Sequence, residues 1–326
     1  MASRPPRVLH VDTATEWRGG QVQLLHLVRG MEKAGWAPSV ACPGESPLWR
    51  ALEFIGDRRI AIPVGMSART TWRVRQADAD LIAAHTSHAH TLTAVVDKPL
   101  VVHRRVDFVP SGGWKYRRPE VYIAVSDAVA RVLKNTGALD VHVVYDGVNE
   151  APAASPAPDG PTVLAVGACV AHKGHRVLSE AAEELSGLDI GVAGDGPLRY
   201  PNLRYLGQRD DVPNLFAAAE LFVHPSLEEG MGQAVVEAML AGVPVVVSDA
   251  GGLPEVVGDC GILVRKDDPA ALAQGISRGL AGDHPSVEAA RARARERFSV
   301  DRMVAGTLEV YTSVARESRA DRVKQG

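Results

Sequence analysis

Two glutamates eight positions apart, Glu229 and Glu237, stand in the run LFVHPSLEEGMGQAVVEAMLAGVPVVVSDAGGLPEVV at 221–257. A short apolar strand ends in a Pro-Ser turn, two acids follow, and Gly230, Met231 and Gly232 lead into a helical pattern at Gln233. At such a start the backbone N–H groups from Gly230 to Gln233 have no helical partner, and the helix dipole adds positive potential, so the segment suits a phosphate. Glu228 beside them is read as a companion of the dipole. If most of the interval from Glu229 to Glu237 is helical, the two carboxylates stand roughly 10–12 Å apart. That is too wide for two acids working on one bond. It suits two hydroxylated parts of one elongated ligand. A second segment, VGACVAHKGH at 166–175, ends a strand at Gly167 and delivers Lys173 to the next helix. A lysine there is a mobile point charge for phosphate.

Other stretches carry weaker chemistry. Gly19-Gly20 precedes the first helix, a place for close backbone approach, but the pattern is not the GxGxxG of a nicotinamide enzyme. The run AHTSHAH holds His85, His88 and His90 without a partnering HExxH or cysteine cluster, so no metal is expected there. His103, Arg104 and Arg105 follow the strand PLVVH, and the loop VPSGGWKYRRPE adds Trp114, Lys115, Tyr116, Arg117 and Arg118. That cationic cluster suits an anionic acceptor or a membrane surface, and equally an ordinary solvated loop. Gly194-Asp195-Gly196-Pro197 reads as a structural turn. In GQRDDV, Asp211 is expected to cap the next helix rather than to bind metal.

The elements that must position these groups are short apolar runs, each followed by a helix-period stretch. RVLHVD, SVAC, RRIAIPV, DLIAAH, PLVVH, VYIAVS and VHVVYDGV lie in the first half, and TVLAVG, LDIGVAG, LRYLG, ELFVHPS, GVPVVVSD and GILVR in the second. Runs that are apolar throughout, rather than alternating, predict strands buried on both faces, hence parallel sheets in an α/β fold. The proline- and alanine-rich stretch NEAPAASPAPDGP at 149–161 reads as a linker. The chain therefore divides into a domain at 1–150, a linker at 151–161, a second domain at 162–299 and an amphipathic segment at 300–326, expected to return toward the first. Ligands of open parallel sheets sit at the carboxyl ends of the strands. The motifs are accordingly expected to face a cleft between two doubly wound domains.

Composition narrows the classes. The 326 residues are 46% hydrophobic with net charge −3, which excludes a disordered polyelectrolyte and gives no sign of a nucleic-acid partner. Residues 1–150 hold 19 Lys and Arg against 15 Asp and Glu, net +4, which leaves −7 for the rest. Three scattered cysteines exclude a disulfide framework and fit a reducing compartment. The N-terminus does not read as a signal peptide, and no apolar run reaches the length of a membrane span.

Residues 221–257 resemble the signature of the retaining glycosyltransferases of family 4, enzymes of GT-B architecture: two Rossmann-like, doubly wound domains facing across a cleft. Glu229 and Glu237 fit the family's Glu-x7-Glu, set in PS-x-x-EG-x-G and followed by GVPVV-x-SD-x-GG-x-PE. The resemblance covers most of the chain. It implies transfer of a sugar from a nucleoside diphosphate sugar to a saccharide or lipid-linked acceptor, with retention, in cell-envelope glycan or lipopolysaccharide synthesis. Glu229 would contact the donor sugar and Glu237 the ribose. Lys173 would hold the diphosphate, with the N–H groups of Gly230, Met231, Gly232 and Gln233. Gly20 would border the transferred sugar, and Arg209 or Val212 the base. Arg105 stands where many relatives place a histidine near the reacting sugar, with His85, His103, Lys115, Arg117 and Arg118 on the acceptor side. The chain departs from the family at Ala168, where an arginine is usual. No metal and no cofactor are implied, and the location would be cytoplasmic, peripheral on the inner face of the plasma membrane. A nucleotide-sugar epimerase of the same fold and an inactive nucleotide-binding protein are the alternatives.

Overall fold

The computed structural model describes residues 4–108 and 113–325. Each apolar run named above becomes a strand. In the first half these are β1 (Val8–Val11), β2 (Ser39–Pro43), β3 (Arg59–Ile62), β4 (Leu81–Ala84), β5 (Leu100–Arg104), β6 (Val121–Ala124) and β7 (Val141–Val143). The helices between them are α1 (Gly19–Lys33), α2 (Pro47–Ala51), α3 (Ala68–Gln76), α4 (Ser87–Thr93) and α5 (Asp127–Asn135). The second half has β8 (Val163–Val166), β9 (Ile190–Ala193), β10 (Arg204–Gly207), β11 (Leu221–His224), β12 (Val245–Ser248) and β13 (Ile262–Val264). Its helices are α6 (His175–Glu183), α7 (Val212–Ala218), α8 (Gln233–Ala241), α9 (Leu253–Val257), α10 (Pro269–Leu280) and α11 (Val287–Arg297), and the long α12 (Val300–Gln325) follows. Serine and threonine start many of these helices. Ser46, Ser67, Thr86, Ser126 and Ser286 each accept a backbone N–H from the first turn.

The chain divides into two units, residues 1–147 with 300–326, and residues 148–299. The first is a seven-stranded parallel sheet in the order β3-β2-β1-β4-β5-β6-β7, the second a six-stranded parallel sheet in the order β10-β9-β8-β11-β12-β13. In each, the strand order reverses once, between β1 and β4 and between β8 and β11. The loops that leave those strands diverge in opposite directions and open a crevice at the carboxyl edge. These crevices are where a ligand of either unit is expected.

α12 completes the first unit. Met303, Val304, Val310, Tyr311 and Val314 join Val8, Leu27, Met31, Leu81, Val101 and Ile123 in one buried cluster. Gly30 in α1 leaves room for Val304: a Cβ there would stand 2.3 Å from Val304 Cγ2. The second unit has its own core, in which Val163, Val192, Leu221, Val223 and Val246 pack against Leu178 and Ile276.

Candidate functional site

The crevice of the second unit is lined by the loops after β8 and β11, and these carry Lys173 and Glu229. Although 56 residues apart in sequence, the Lys173 ammonium donates to Glu229 Oε2 at 2.6 Å. Glycine makes this approach possible. Gly174 has φ 70°, and a Cβ on it would stand 1.9 Å from the Pro225 carbonyl oxygen, so no other residue allows the lysine loop to lie against the Pro-Ser turn. The Leu227 N–H donates across the same seam to the His172 carbonyl at 2.8 Å. Gly194 does the same for the neighbouring strand, its missing Cβ facing the Gly167 carbonyl oxygen at 2.0 Å, which bears out a structural role for the GDGP turn.

Two further groups hold Glu229. His224, at the end of β11, lies 2.7 Å from the same oxygen through Nε2, and Ser226 Oγ donates to it at 3.3 Å. Burial pushes the His224 imidazole below its usual value in spite of the carboxylate beside it. The ring is therefore neutral and donates Nε2–H. Burial alone would raise the Glu229 carboxyl, but the His224 hydrogen bond and the Lys173 charge outweigh it and hold the group well below the usual carboxylate range. Glu229 is thus a fixed, ionised acceptor.

Glu237 is the opposite case. It lies one turn into α8, partly buried, and among the described residues no hydrogen bond or ion pair to its side chain is found. Burial raises its carboxyl from 4.5 to about 7. α8 begins only at Gln233, with Gly232 as N-cap, so the step from Glu229 to Glu237 is half loop and half helix rather than mostly helix. Met231 is buried. Among the described residues no acceptor is found for the backbone N–H groups of Gly230, Met231 or Gly232.

Other expected members of this site are placed differently. The Arg209 guanidinium bonds Asp159 at 2.6 Å and Asp211 at 2.7 Å. Asp211 does sit at the N-cap of α7, but its carboxylate takes Arg209 instead of a helix N–H. Val212 opens α7, half-buried. Ala168 is exposed in the turn after β8 and presents no charge there.

In the first unit the crevice between β1 and β4 exposes Gly20, where an added Cβ would meet nothing within 4 Å. Packing does not require glycine there. Below it lies a layer that sequence reasoning did not assemble. His10 in β1, His85 just after β4 and His103 in β5 are all buried. His85 stacks on His103 at 4.3 Å between ring centroids, and His85 Nε2 lies 2.9 Å from His10 Nδ1. Burial lowers all three imidazoles, His10 to about 3, with the Arg105 charge adding to the effect. Neutral rings satisfy the whole chain: Arg105 donates to His85 Nδ1 at 3.4 Å, His85 Nε2–H to His10 Nδ1, and His10 Nε2–H to the Met31 sulfur at 3.3 Å. The Tyr311 hydroxyl of α12 pairs with His103 Nε2 at 2.7 Å. Arg105 is anchored on its other side by Asp146 at 3.0 Å.

His85 and His103, expected on the acceptor side, are thus buried beside Arg105. Three apolar strands bring them inside, and they buttress Arg105. His88 is exposed and His90 is buried against Tyr116, so the three histidines of the AHTSHAH run do not converge. Among the described residues no group of three His, Cys, Asp or Glu side chains is placed to hold a metal ion. Lys115 folds back onto α4, donating to Thr91 Oγ1 at 3.0 Å, and Arg118 pairs with Glu120 at 3.1 Å, while Arg117 is exposed. The first four residues of that loop, 109–112, lie outside the described residues. His10, Asp146, His224 and Tyr311 were missed. Each is a lone polar residue in or beside an apolar run, and no spacing rule links them.

Residues 160–281 match the family model described as Glycosyl transferases group 1, and residues 17–151 match Glycosyltransferase Family 4. The chain is similar to the O-antigen chain mannosyltransferase B of Escherichia coli, 41% identical over 113 residues, which are 33% of this chain and 30% of that protein. The likeness thus spans less than a third of that relative's length. The phosphatidyl-myo-inositol mannosyltransferase of Mycobacterium leprae is 29% identical over 272 residues, 75% of this chain and 70% of that one. Among solved structures, Anabaena HepE in complex with UDP-glucose matches with a TM-score of 0.79 at 23% identity, over 94% of this chain and 100% of that one. With the two parallel sheets described above, these likenesses establish the GT-B fold and support a glycosyltransferase domain in each unit.

Proposed function

We propose that this chain transfers a sugar from a nucleoside diphosphate sugar to a saccharide or lipid-linked acceptor, retaining the anomeric configuration, in the synthesis of a cell-envelope glycan such as lipopolysaccharide. The observation that carries this reading is the Lys173–Glu229 pair at the switch point of the second sheet, with the unpartnered carboxylate of Glu237 one helical turn into α8. The names of the E. coli and M. leprae relatives support the class of acceptor, and the UDP-glucose complex of the Anabaena protein supports the class of donor.

Charge develops on the diphosphate as the bond to the sugar breaks. Lys173 and the N–H groups at the start of α8 are aimed where that charge appears, in a site already organised by its loops, and such preorganised stabilisation needs no covalent nucleophile. Glu229, ionised and fixed by His224 and Lys173, accepts hydrogen bonds from the hydroxyls of the donor sugar. Glu237 accepts those of the ribose diol, which would give its isolated carboxylate the partners the protein withholds. Arg105, held by Asp146 and the histidine layer, is assigned to the reacting sugar and acceptor. The reaction is proposed to run without a metal ion, in the cytoplasm, with the enzyme resting on the inner face of the plasma membrane. Among the described residues no helix is long and apolar enough to cross a membrane.

A thermal-shift panel of UDP, GDP, ADP and their sugars tests the reading. A nucleotide at about 100 times its dissociation constant adds ~2.7 kcal/mol of stability. Stabilisation by one nucleotide, and a glycosylated product when its sugar and an acceptor extract are supplied, is the expected result. No stabilisation by any of them would overturn it. A changed free nucleotide sugar without product would replace it with an epimerase.

A further inference from the structure

α3 turns its most hydrophobic side chain outward. Thr70 and Val74 are buried, and at about 100° per residue the opposite face belongs to Trp72, with Arg69 and Arg75 about 60° to either side. Trp72 is 61% exposed. The strand-to-helix turn before it presents Val64 and Met66, also exposed. This face does not stand alone. Thr71 Oγ1 donates to the Leu92 carbonyl of α4 at 3.3 Å, and Arg75 reaches the carbonyl of exposed Val95 at 3.4 Å. From there Arg118 donates to the Val96 carbonyl at 2.9 Å and Lys115 to Thr91 at 3.0 Å, which joins the short 3-10 turn Trp114–Arg117 to the same surface. Trp114 is 59% exposed.

Cations dominate the charge on this surface. Residues 64–76 and 113–118 hold Arg69, Arg73, Arg75, Lys115, Arg117 and Arg118 and no acid. The nearest acids are mostly committed, Asp78 to Arg7 and Glu120 to Arg118, with Asp97 exposed in the turn beside Val95.

We propose that the surface formed by α3, the turn after α4 and the 3-10 turn Trp114–Arg117 docks on an anionic lipid bilayer, with Trp72 and Trp114 at headgroup depth and the arginines on lipid phosphates. Protein partners prefer an apolar centre depleted of charge with a polar rim. Here Trp72 is flanked by Arg69 and Arg75 on one helix face and Trp114 lies in a turn with Lys115 and Arg117, a composition that suits a membrane interface, where indole rings and snorkelling arginines share one layer. Val64, Met66 and Trp114 follow the carboxyl ends of β3 and β5, the edge of the sheet that also carries Gly20 and His85. Docking there brings that edge to the headgroups, where a lipid-linked acceptor waits. The inference rests on the proposed acceptor class for its purpose, but binding is measurable without turnover.

The test is flotation of the full chain with phosphatidylcholine vesicles, with and without phosphatidylglycerol. The expected result is partition onto the anionic vesicles only, weakened by salt. Arg69→Gln/Arg75→Gln should lower the partition coefficient roughly thirtyfold, about fivefold per arginine. Trp72→Ser should also release the protein, and Arg69→Lys/Arg75→Lys should keep it bound. Unchanged melting temperatures and nucleotide shifts in these variants show that the fold is intact. Absence of wild-type binding to anionic vesicles, or equal binding by the double glutamine variant, overturns the proposal. Nucleotide binding without vesicle binding refutes the docking surface and leaves the transferase reading standing. Vesicle binding without any nucleotide effect does the reverse.

Discussion

Replacing Glu237 by glutamine should make the ligand-free chain more stable above pH 7 and a poorer binder of nucleotide. Burial without a partner raises the carboxyl from 4.5 to about 7. An acid whose folded pKa lies above its unfolded one keeps its proton more tightly in the folded chain. The penalty is therefore absent below pH 4.5, grows as the pH rises between the two values, and is complete above about pH 8. At 1.4 kcal/mol per tenfold change it amounts to about 3 kcal/mol. A buried amide without partners retains about 1–2 kcal/mol of that cost. The net gain for Glu237→Gln is then about 1–2 kcal/mol, or about 3–6 °C in melting temperature for a unit of this size. Calorimetry of both proteins without ligand at about pH 8.5 and about pH 5 measures it, the gain vanishing at the lower pH. With saturating nucleotide the order should invert, since the wild-type carboxylate then has partners. A glutamine variant less stable than wild type by the same margin at both pH values would show that Glu237 is not desolvated, and the argument would fail.

Glu237→Ala should weaken binding of the free nucleotide, whereas Glu229→Ala should chiefly lower turnover; equal affinity of wild type and Glu237→Ala for the nucleotide in calorimetric titration would sink the assignment. Lys173→Met leaves Glu229 with the neutral donors of His224 and Ser226 but without its cation and should cost about 2–3 kcal/mol, largely recovered in the double variant Lys173→Met/Glu229→Gln; additive losses in denaturant melts would deny the pairing. Transfer should survive EDTA, and activity abolished by chelation and restored by a divalent ion would overturn metal independence. Tyr311→Phe leaves His103 Nε2 without its buried partner and should destabilise the first unit by about 1–3 kcal/mol, readable as faster amide exchange in β5 with the second unit unaffected.

The strands were legible because parallel sheets covered on both faces demand apolar runs, and each run named from the sequence is a strand. The site was only partly legible. Glu229, Gly230–Gln233 and Glu237 lie within nine positions, so one local pattern contains them. Lys173 joins them across 56 residues only through the reversal of strand order between β8 and β11, which periodicity does not encode. The histidine layer was illegible for a plainer reason. His85 and His103 were named only as acceptor-side groups, and the partner that His103 finds in Tyr311 comes from α12, 208 residues further on. The pairing of Arg209 with Asp159, fifty residues earlier, was equally invisible in the local pattern.

The return of α12 to the first unit has a consequence for how the chain is made. A polypeptide leaves the ribosome from its N-terminus, and contiguous domains acquire structure in that order. Here the first sheet emerges early but lacks the helix that seals Val8, Leu81, Val101 and Ile123, because Met303 to Val314 are translated after the second unit. Residues 148–299 form an uninterrupted unit with its own core and can close as soon as they are released. Biogenesis should therefore run against sequence order, the later unit maturing while the earlier one waits with an apolar face uncovered. In that interval the nascent N-terminal sheet is the region most exposed to aggregation, and the natural client for a holdase at the tunnel exit.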